Sequence, residues 1–309
     1  MKHTKRDLLR LVDLSRDECE AIFGLATDIK MALRSGKPKP LLAGKTLAMI
    51  FEKPSLRTRV SFETGMFQLG GHAIYLAPWD IRLGERETVA DVARNLARIV
   101  DMIVARTFRH AVLVELAAHA KVPVINGLTD LHHPCQVLAD LFTLVEHRRK
   151  LDEIKVVFVG DGNNLVHSWM EAATLFPFEF AVACPTGYEP NTGLVAECQA
   201  RGAKITVTPS VTDAVRGADV VYTDVWTSMG QEEETVVRRE RFADYQINED
   251  VMRHAAKDAL VMHCLPAHRG EEITDAVLES RQSIVFDQAE NRLHLQKALM
   301  AWLARESAK

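Results

Sequence analysis

Short apolar runs rich in β-branched residues alternate with helix-patterned segments along nearly the whole chain, and this rhythm constrains the fold more than any other feature. A first set of strands is expected at 46–51, 73–76, 102–105 and 122–125, with helical patterns at 60–69, 88–99 and 136–148. A second set is expected at 154–159, 180–184, 204–208, 219–223, 260–264 and 283–286, followed by a last helix at 290–308. Ahead of these, Ser15-Arg16-Asp17-Glu18 reads as a capping box. The helix it opens repeats Cys19, Ile22, Phe23, Ala26, Ile29 and Leu33 at helical spacing and closes at Gly36. Strands that alternate with helices pair in parallel and carry helices on both faces. The expected class is therefore α/β, with two doubly wound parallel-sheet domains and the active site in the cleft between them. A length of 309 residues suits two cores of ordinary size. Their expected bounds are 1–140 with the C-terminal helix 291–309 added, and 141–290.

Composition narrows the function classes. A net charge of -4 offers no global basic field for nucleic acid. The apolar runs are too short to span a membrane. The first ten residues are charged and lack the apolar stretch of a signal peptide. The 5 cysteines, Cys19, Cys135, Cys184, Cys198 and Cys264, are odd in number, widely spaced and without a CxxC pair. That pattern suits reduced thiols in the cytoplasm rather than a disulfide framework or a structural zinc.

The unusual polar clusters all follow expected strands, where open parallel sheets bind their ligands. Ser55-Leu56-Arg57-Thr58-Arg59 runs straight into a helix. Free N–H groups, the positive dipole end, two hydroxyls and a guanidinium there suit an anion such as phosphate. The GxxxxGK[ST] pattern of a Walker loop is absent. Arg106 follows the run 102–105. In His133-Pro134-Cys135-Gln136 the proline suits a first helical turn and leaves His133 near the positive helix end, as a neutral donor to a carbonyl. Gly160-Asp161-Gly162-Asn163-Asn164 resembles a dinucleotide loop but fails GxGxxG, since Leu165 stands at the last glycine position. Asp224, with Ser228 and Met229 close behind, suits a substrate ammonium, and Cys264-Leu265-Pro266 ends another strand. Each cluster alone also has an ordinary reading, such as an ion-paired helix start, a capped turn or a packed thiol. Together they offer anion donors from one half and amide, carboxylate and thiol groups from the other. That pairing suits a phosphate-bearing donor meeting an amine-bearing acceptor. No metal constellation with ligand spacing is evident, and no cofactor is expected.

These residues carry a family resemblance. Phe51-Glu52-Lys53-Pro54-Ser55-Leu56-Arg57-Thr58-Arg59 and His133-Pro134-Cys135-Gln136 resemble the signatures of the aspartate/ornithine carbamoyltransferase superfamily. Asp224 with Ser228-Met229-Gly230, and His263-Cys264-Leu265-Pro266, are similar to those of its ornithine branch. The resemblance covers nearly the whole chain. It implies transfer of a carbamoyl group from carbamoyl phosphate to the side-chain amine of L-ornithine, giving L-citrulline and phosphate, in arginine biosynthesis or degradation. It implies that Ser55, Leu56, Arg57 and Thr58 hold the phosphate and that Arg106 bridges phosphate and carbonyl oxygen. His133 and Gln136 address the carbamoyl group, Pro134 and Cys135 belong to the carbamoyl phosphate site, Leu265 offers the carbamoyl amide a backbone carbonyl, and Arg292 contacts the same ligand. Asn164, Asp224, Ser228 and Met229 bind the amino-acid end of ornithine, and Cys264 orients its side-chain amine. Arg57, Thr58, Arg106, His133 and Cys264 are the implied catalytic groups. The family is built from trimers with active sites between subunits, so a homotrimer or a multiple of it is expected. Arg82 stands where many members carry Gln, at the position that reaches a neighbouring subunit's carbamoyl phosphate. Alternatives are a sister carbamoyltransferase acting on aspartate, putrescine or acetylornithine, a non-catalytic α/β binding protein, and, least favoured, a dinucleotide-dependent oxidoreductase.

Overall fold

The computed structural model describes residues 5–147, 150–227 and 232–307. The chain divides into two compact units: residues up to Phe142 together with those from Glu290 onward, and Thr143–Ala289. The first unit holds a sheet of β1 (Thr46–Phe51), β2 (His72–Leu76), β3 (Met102–Arg106) and β4 (Val124–Leu128). Its strand order is β2-β1-β3-β4, and every pairing is parallel. The second unit holds β5 (Lys155–Val159), β6 (Glu179–Ala183), β7 (Lys204–Thr208), β8 (Val220–Thr223) and β9 (Leu260–His263). These are ordered β7-β6-β5-β8-β9 and are again parallel throughout.

The central strands read as unbroken apolar runs because both faces are covered. In the first unit Ala48, Ile50, Ile103, Ala105 and Val124 pack with Val92, Ala93, Leu113, Leu116 and Ala117. In the second, Val157, Val159, Val221 and Val261 pack with Trp226, Phe242 and Tyr245. Also in that unit, Phe158 stacks with Tyr222, and Trp169 packs edge-on to Phe178 and Tyr222. Burying one such side chain fully stabilises by about 1.5–3 kcal/mol. The sheets are thus held by their cores, and the polar residues at the strand ends are left for other work.

In each sheet the strand order reverses once. β1 is followed in sequence by β2 on one side and by β3 on the other; β5 is followed by β6 on one side and flanked by β8 on the other. Open α/β sheets bind ligands at the carboxyl ends beside such reversals. Ser55 follows β1 and Arg106 ends β3, while Asn163 follows β5 and Asp224 follows β8.

Several expectations are corrected. The segment 283–286 is not a strand: Ser283 makes an isolated bridge to Val261, and a helix begins at Val285. Ile284 donates to Val261 O, so a single extended step touches the sheet before the helix takes over. The last helix is accordingly Val285–Glu306 rather than one starting at 290. The first-unit helix expected at 60–69 is Leu56–Gln68, opening right after Ser55. The capping box at Ser15 is present, with Ser15 Oγ accepting from Glu18 N and Glu18 Oε2 accepting from Ser15 N.

Candidate active site

The first unit gathers groups whose chemistry suits an anion. Two contacts fix the loop after β1: Glu52 N donates to Arg106 O at 2.8 Å, and Phe108 N donates to Glu52 Oε2 at 2.7 Å. The Lys53 ammonium lies over the Phe108 ring at 4.3 Å. Ser55 then caps the Leu56–Gln68 helix, accepting from Thr58 N at 3.3 Å. The N–H groups of Leu56 and Arg57 belong to the first turn, where no intrahelical acceptor exists. The Leu56 side chain is 75% exposed.

Thr58 is fully buried, and its hydroxyl is set as a donor. Its Oγ1 accepts from Ser55 Oγ at 3.0 Å and from Arg292 Nη2 at 2.8 Å. A hydroxyl has two acceptor positions and one hydrogen, so with both acceptor positions engaged the hydrogen is what Thr58 can give to a ligand oxygen. Arg292 arrives from the Val285–Glu306 helix and is buried beside it. Arg106 is buried at the end of β3. His133 is buried immediately before the Pro134–His147 helix, whose first residue is Pro134. Burial, then the guanidiniums of Arg292, Arg106 and Arg57, hold its imidazolium form well below the usual histidine range. His133 is therefore neutral at pH 7. Cys135 donates Sγ–H to Asn126 O at 3.2 Å, and burial pushes its thiol up to about 12, which makes it an inert packing group. Gln136 is buried and gives its Nε2 to Asp140 Oδ1 at 2.8 Å.

Not every residue of the motif joins this cluster. Arg59 is exposed, pairs with Glu63 at 3.1 Å and lies over the Tyr75 ring. Arg82 is exposed in the left-handed region, with φ 41°, and lines a surface depression with Trp79, Glu85 and Arg86.

The second unit gathers a carboxylate, a thiol and amides at its strand ends. Gly162 lies so close to the 189–190 backbone that a Cβ would stand 2.2 Å from Pro190 N, so glycine is required there. Asn163 caps the Asn164–Leu175 helix, its Oδ1 accepting from Leu165 N and Val166 N, and its Nδ2 donates to Asp224 Oδ2 at 3.3 Å. Asp224 Oδ1 accepts from Val225 N at 2.8 Å and from Cys264 Sγ at 3.0 Å. Carboxylate and thiol thus form one partly exposed pair at the ends of β8 and β9. Asn164 is half-buried as the first residue of its helix. Leu265 has φ 59° and donates its N–H to His263 Nδ1 at 2.8 Å. That bond places the imidazole proton on Nε2, which faces Glu272 Oε1 at 3.0 Å. Asp224, His263 and Cys264 lie close enough to suggest a metal trio, but both His263 nitrogens are already engaged. Ser228 and Met229 lie outside the described residues.

Sequence reasoning pointed to the Asn163 amide, for a carboxylate or ammonium, but not to its contact with Asp224, and it did not find two further supports. Asn163 orients Asp224. Buried Arg238 joins Asp161 Oδ2 to Trp226 O, each at 3.0 Å. Burial raises the Asp161 carboxyl above its ordinary range in spite of Arg238. Asp140 holds Gln136, and only this pair left a signal, the four-residue Gln–Asp spacing of one helix face.

Comparison with known proteins identifies the family of each part of the chain. Residues 6–146 match the family described as aspartate/ornithine carbamoyltransferase, carbamoyl-P binding domain. Residues 152–303 match aspartate/ornithine carbamoyltransferase, Asp/Orn binding domain, a span running past Glu290 into the helix that joins the first unit. Ornithine carbamoyltransferase of Syntrophus aciditrophicus is 52% identical over 301 residues, covering 96% of this chain and 98% of that protein. The Thermococcus kodakarensis enzyme of the same name is 52% identical over 300 residues, covering 96% and 95%. The solved structure of ornithine carbamoyltransferase from Pyrococcus furiosus superposes with a TM-score of 0.92 at 50% identity, covering 97% of each chain.

Proposed function

We propose that the chain, which belongs to the aspartate/ornithine carbamoyltransferase family, transfers a carbamoyl group from carbamoyl phosphate to the side-chain amine of L-ornithine, yielding L-citrulline and phosphate. The first unit takes carbamoyl phosphate and the second takes ornithine. The observation that carries ornithine over aspartate is the Asp224–Cys264 pair at 3.0 Å. A carboxylate and a thiol at the ends of β8 and β9 suit an amine or ammonium, whereas aspartate would bring two carboxylates to a group of acceptors.

The chemistry is direct acyl transfer. The neutral amine attacks the carbamoyl carbon, and negative charge grows on the carbonyl oxygen. Thr58, Arg106 and neutral His133 donate to that oxygen; removing one such donor typically costs about 3–4 kcal/mol of transition-state stabilisation. Arg57 and the first N–H groups of the Leu56–Gln68 helix take the departing phosphate. The attacking amine leaves its surplus proton to the Cys264–Asp224 pair or to solvent. A free amine of this kind titrates near about 10.4, so the rate rises with pH from neutral to alkaline. Steady-state citrulline formation, assayed against ornithine, acetylornithine, putrescine and aspartate, tests the reading: ornithine should dominate, and aspartate turnover in its place would overturn it.

The 1–140 and 291–309 segments would form the carbamoyl phosphate domain, and 141–290 the ornithine domain. The chain would work in the cytoplasm as a homotrimer or a multiple of it. Supporting this, Leu56, Phe67 and Trp79 of the first unit are at least 75% exposed, and all 5 cysteines are free. Among the described residues no helix is long and apolar enough to cross a membrane. Sedimentation equilibrium checks the assembly, and Arg82→Gln should leave it unchanged while altering the Km for carbamoyl phosphate.

A further inference from the structure

We infer that Asp140 is a positioning residue that fixes which end of the Gln136 amide faces the carbamoyl group, and so helps the enzyme tell the carbamoyl NH2 from a methyl of the same size. The inference rests on the reading of Gln136 as a carbamoyl contact.

Gln136 and Asp140 share one face of the Pro134–His147 helix, four residues apart, and are 1% and 0% exposed. Gln136 Nε2 stands 2.8 Å from Asp140 Oδ1. A carboxylate only accepts, so it holds the nitrogen end of an amide and repels the oxygen end. The two ends of a glutamine amide are nearly identical in shape, so a neighbour that accepts from only one of them is what fixes the orientation. The other end, Gln136 Oε1, is buried and has no hydrogen-bond partner among the described residues. A buried, unpaired carbonyl is costly unless a ligand completes it. It lies on the first turn after His133, in the helix that Cys135 anchors to Asn126 O.

Carbamoyl phosphate offers two N–H donors on its carbonyl carbon; acetyl phosphate has the same phosphate and carbonyl but a methyl in that place. An acceptor held toward that group rewards the first ligand and leaves the second with an unpaired oxygen. Turned over, the amide would present its own hydrogens to the carbamoyl hydrogens. Asp140 thus contributes selectivity without touching substrate.

Asp140→Asn tests this, because an asparagine amide can hold either end of Gln136. In the full-length enzyme we expect kcat/Km for carbamoyl phosphate to fall about 10-fold, the loss of one oriented hydrogen bond. The Ki of acetyl phosphate as a competitive inhibitor should move less than about twofold. In a Gln136→Ala background, Asp140→Asn should have no further effect on carbamoyl phosphate. An equal loss for both ligands, no loss for either, or an undiminished effect in that background would each overturn the inference. Should Asp140→Asn fail to melt cooperatively, the side-chain amide signals of Gln136 in 15N-labelled wild type decide. Exchange-protected hydrogens that hold their shifts when carbamoyl phosphate is added support it, and large shifts put nitrogen on the ligand and sink it. A wild type that makes no citrulline defeats the proposed reaction itself, an outcome distinct from any of these.

Discussion

In both units the candidate residues stand where strand order reverses, beside β1 and β3 in one and β5 and β8 in the other. Yet the first gathers guanidiniums, a hydroxyl donor and a neutral imidazole, and the second gathers a carboxylate, a thiol and amides. The same backbone plan therefore supplies a place and no chemistry. The polarity is set by what each loop brings in. Arg292 comes to the first half-site from the far end of the sequence, whereas the second is built from strand ends within its own unit.

Removing the charged groups of one unit should spare the substrate that the other unit takes. Arg57→Ala should lower kcat/Km by about a thousandfold or more, with a melting temperature within a degree or two of wild type. Steady-state kinetics beside calorimetry check it, and a matching fall in melting temperature would make Arg57 structural. Next in size, Cys264→Ser should raise the Km for ornithine by about 10-fold to 100-fold and leave that for carbamoyl phosphate unchanged, because a hydroxyl is a poorer match to the thiol's geometry beside Asp224. If both Km values rise together, the two halves do not divide the substrates.

Acid should reach the first unit through its histidines. His133 and His294 are both held below the ordinary histidine range, His294 at about 4, by burial and neighbouring cations. The folded state then binds fewer protons than the unfolded state, which titrates near about 6.5. Their stabilising contribution is full above that value and is lost as pH falls through the window down to about 4 for His294. Urea midpoints measured from pH 7.5 to 4 should drop across that window, and His294→Gln should flatten the fall. The smallest expected effect is Asn163→Ala. It removes a helix cap worth about 1 kcal/mol and frees Asp224 from one contact. A modest drop in melting temperature with a rise in ornithine Km of no more than about threefold would fit; an unchanged Km would leave Asn163 as a cap alone.

Much of this was legible in the sequence. Apolar runs bounded by polar clusters placed most of the strands, and the Ser15 capping box stands as read, whereas the helix expected from residue 60 already opens at Leu56. The strand order was not legible, since nothing local in β1 says that β3 rather than β4 lies beside it. Segment 283–286 misled because Ile284, Val285 and Phe286 carry strand-like side chains where tertiary pairing supports only one bridge. The resemblance singled out Arg57 and not Arg59, and the fold sets Arg57 near His133 while Arg59 pairs outward with Glu63. Arg238 sits in a strongly charged stretch whose pattern says surface, yet it is buried against Asp161.

The Val285–Glu306 helix ties the order of folding to the order of the sequence. The unit that begins with the first strand is completed only by residues from Glu290 onward. Arg292, which donates to the Thr58 hydroxyl, follows every strand of both sheets in the sequence. Thr143–Ala289 is an insertion within its host, and it can fold while that host still waits for its closing segment. A chain cut before 290 would keep every strand of both sheets and still lack the Arg292 contact to Thr58.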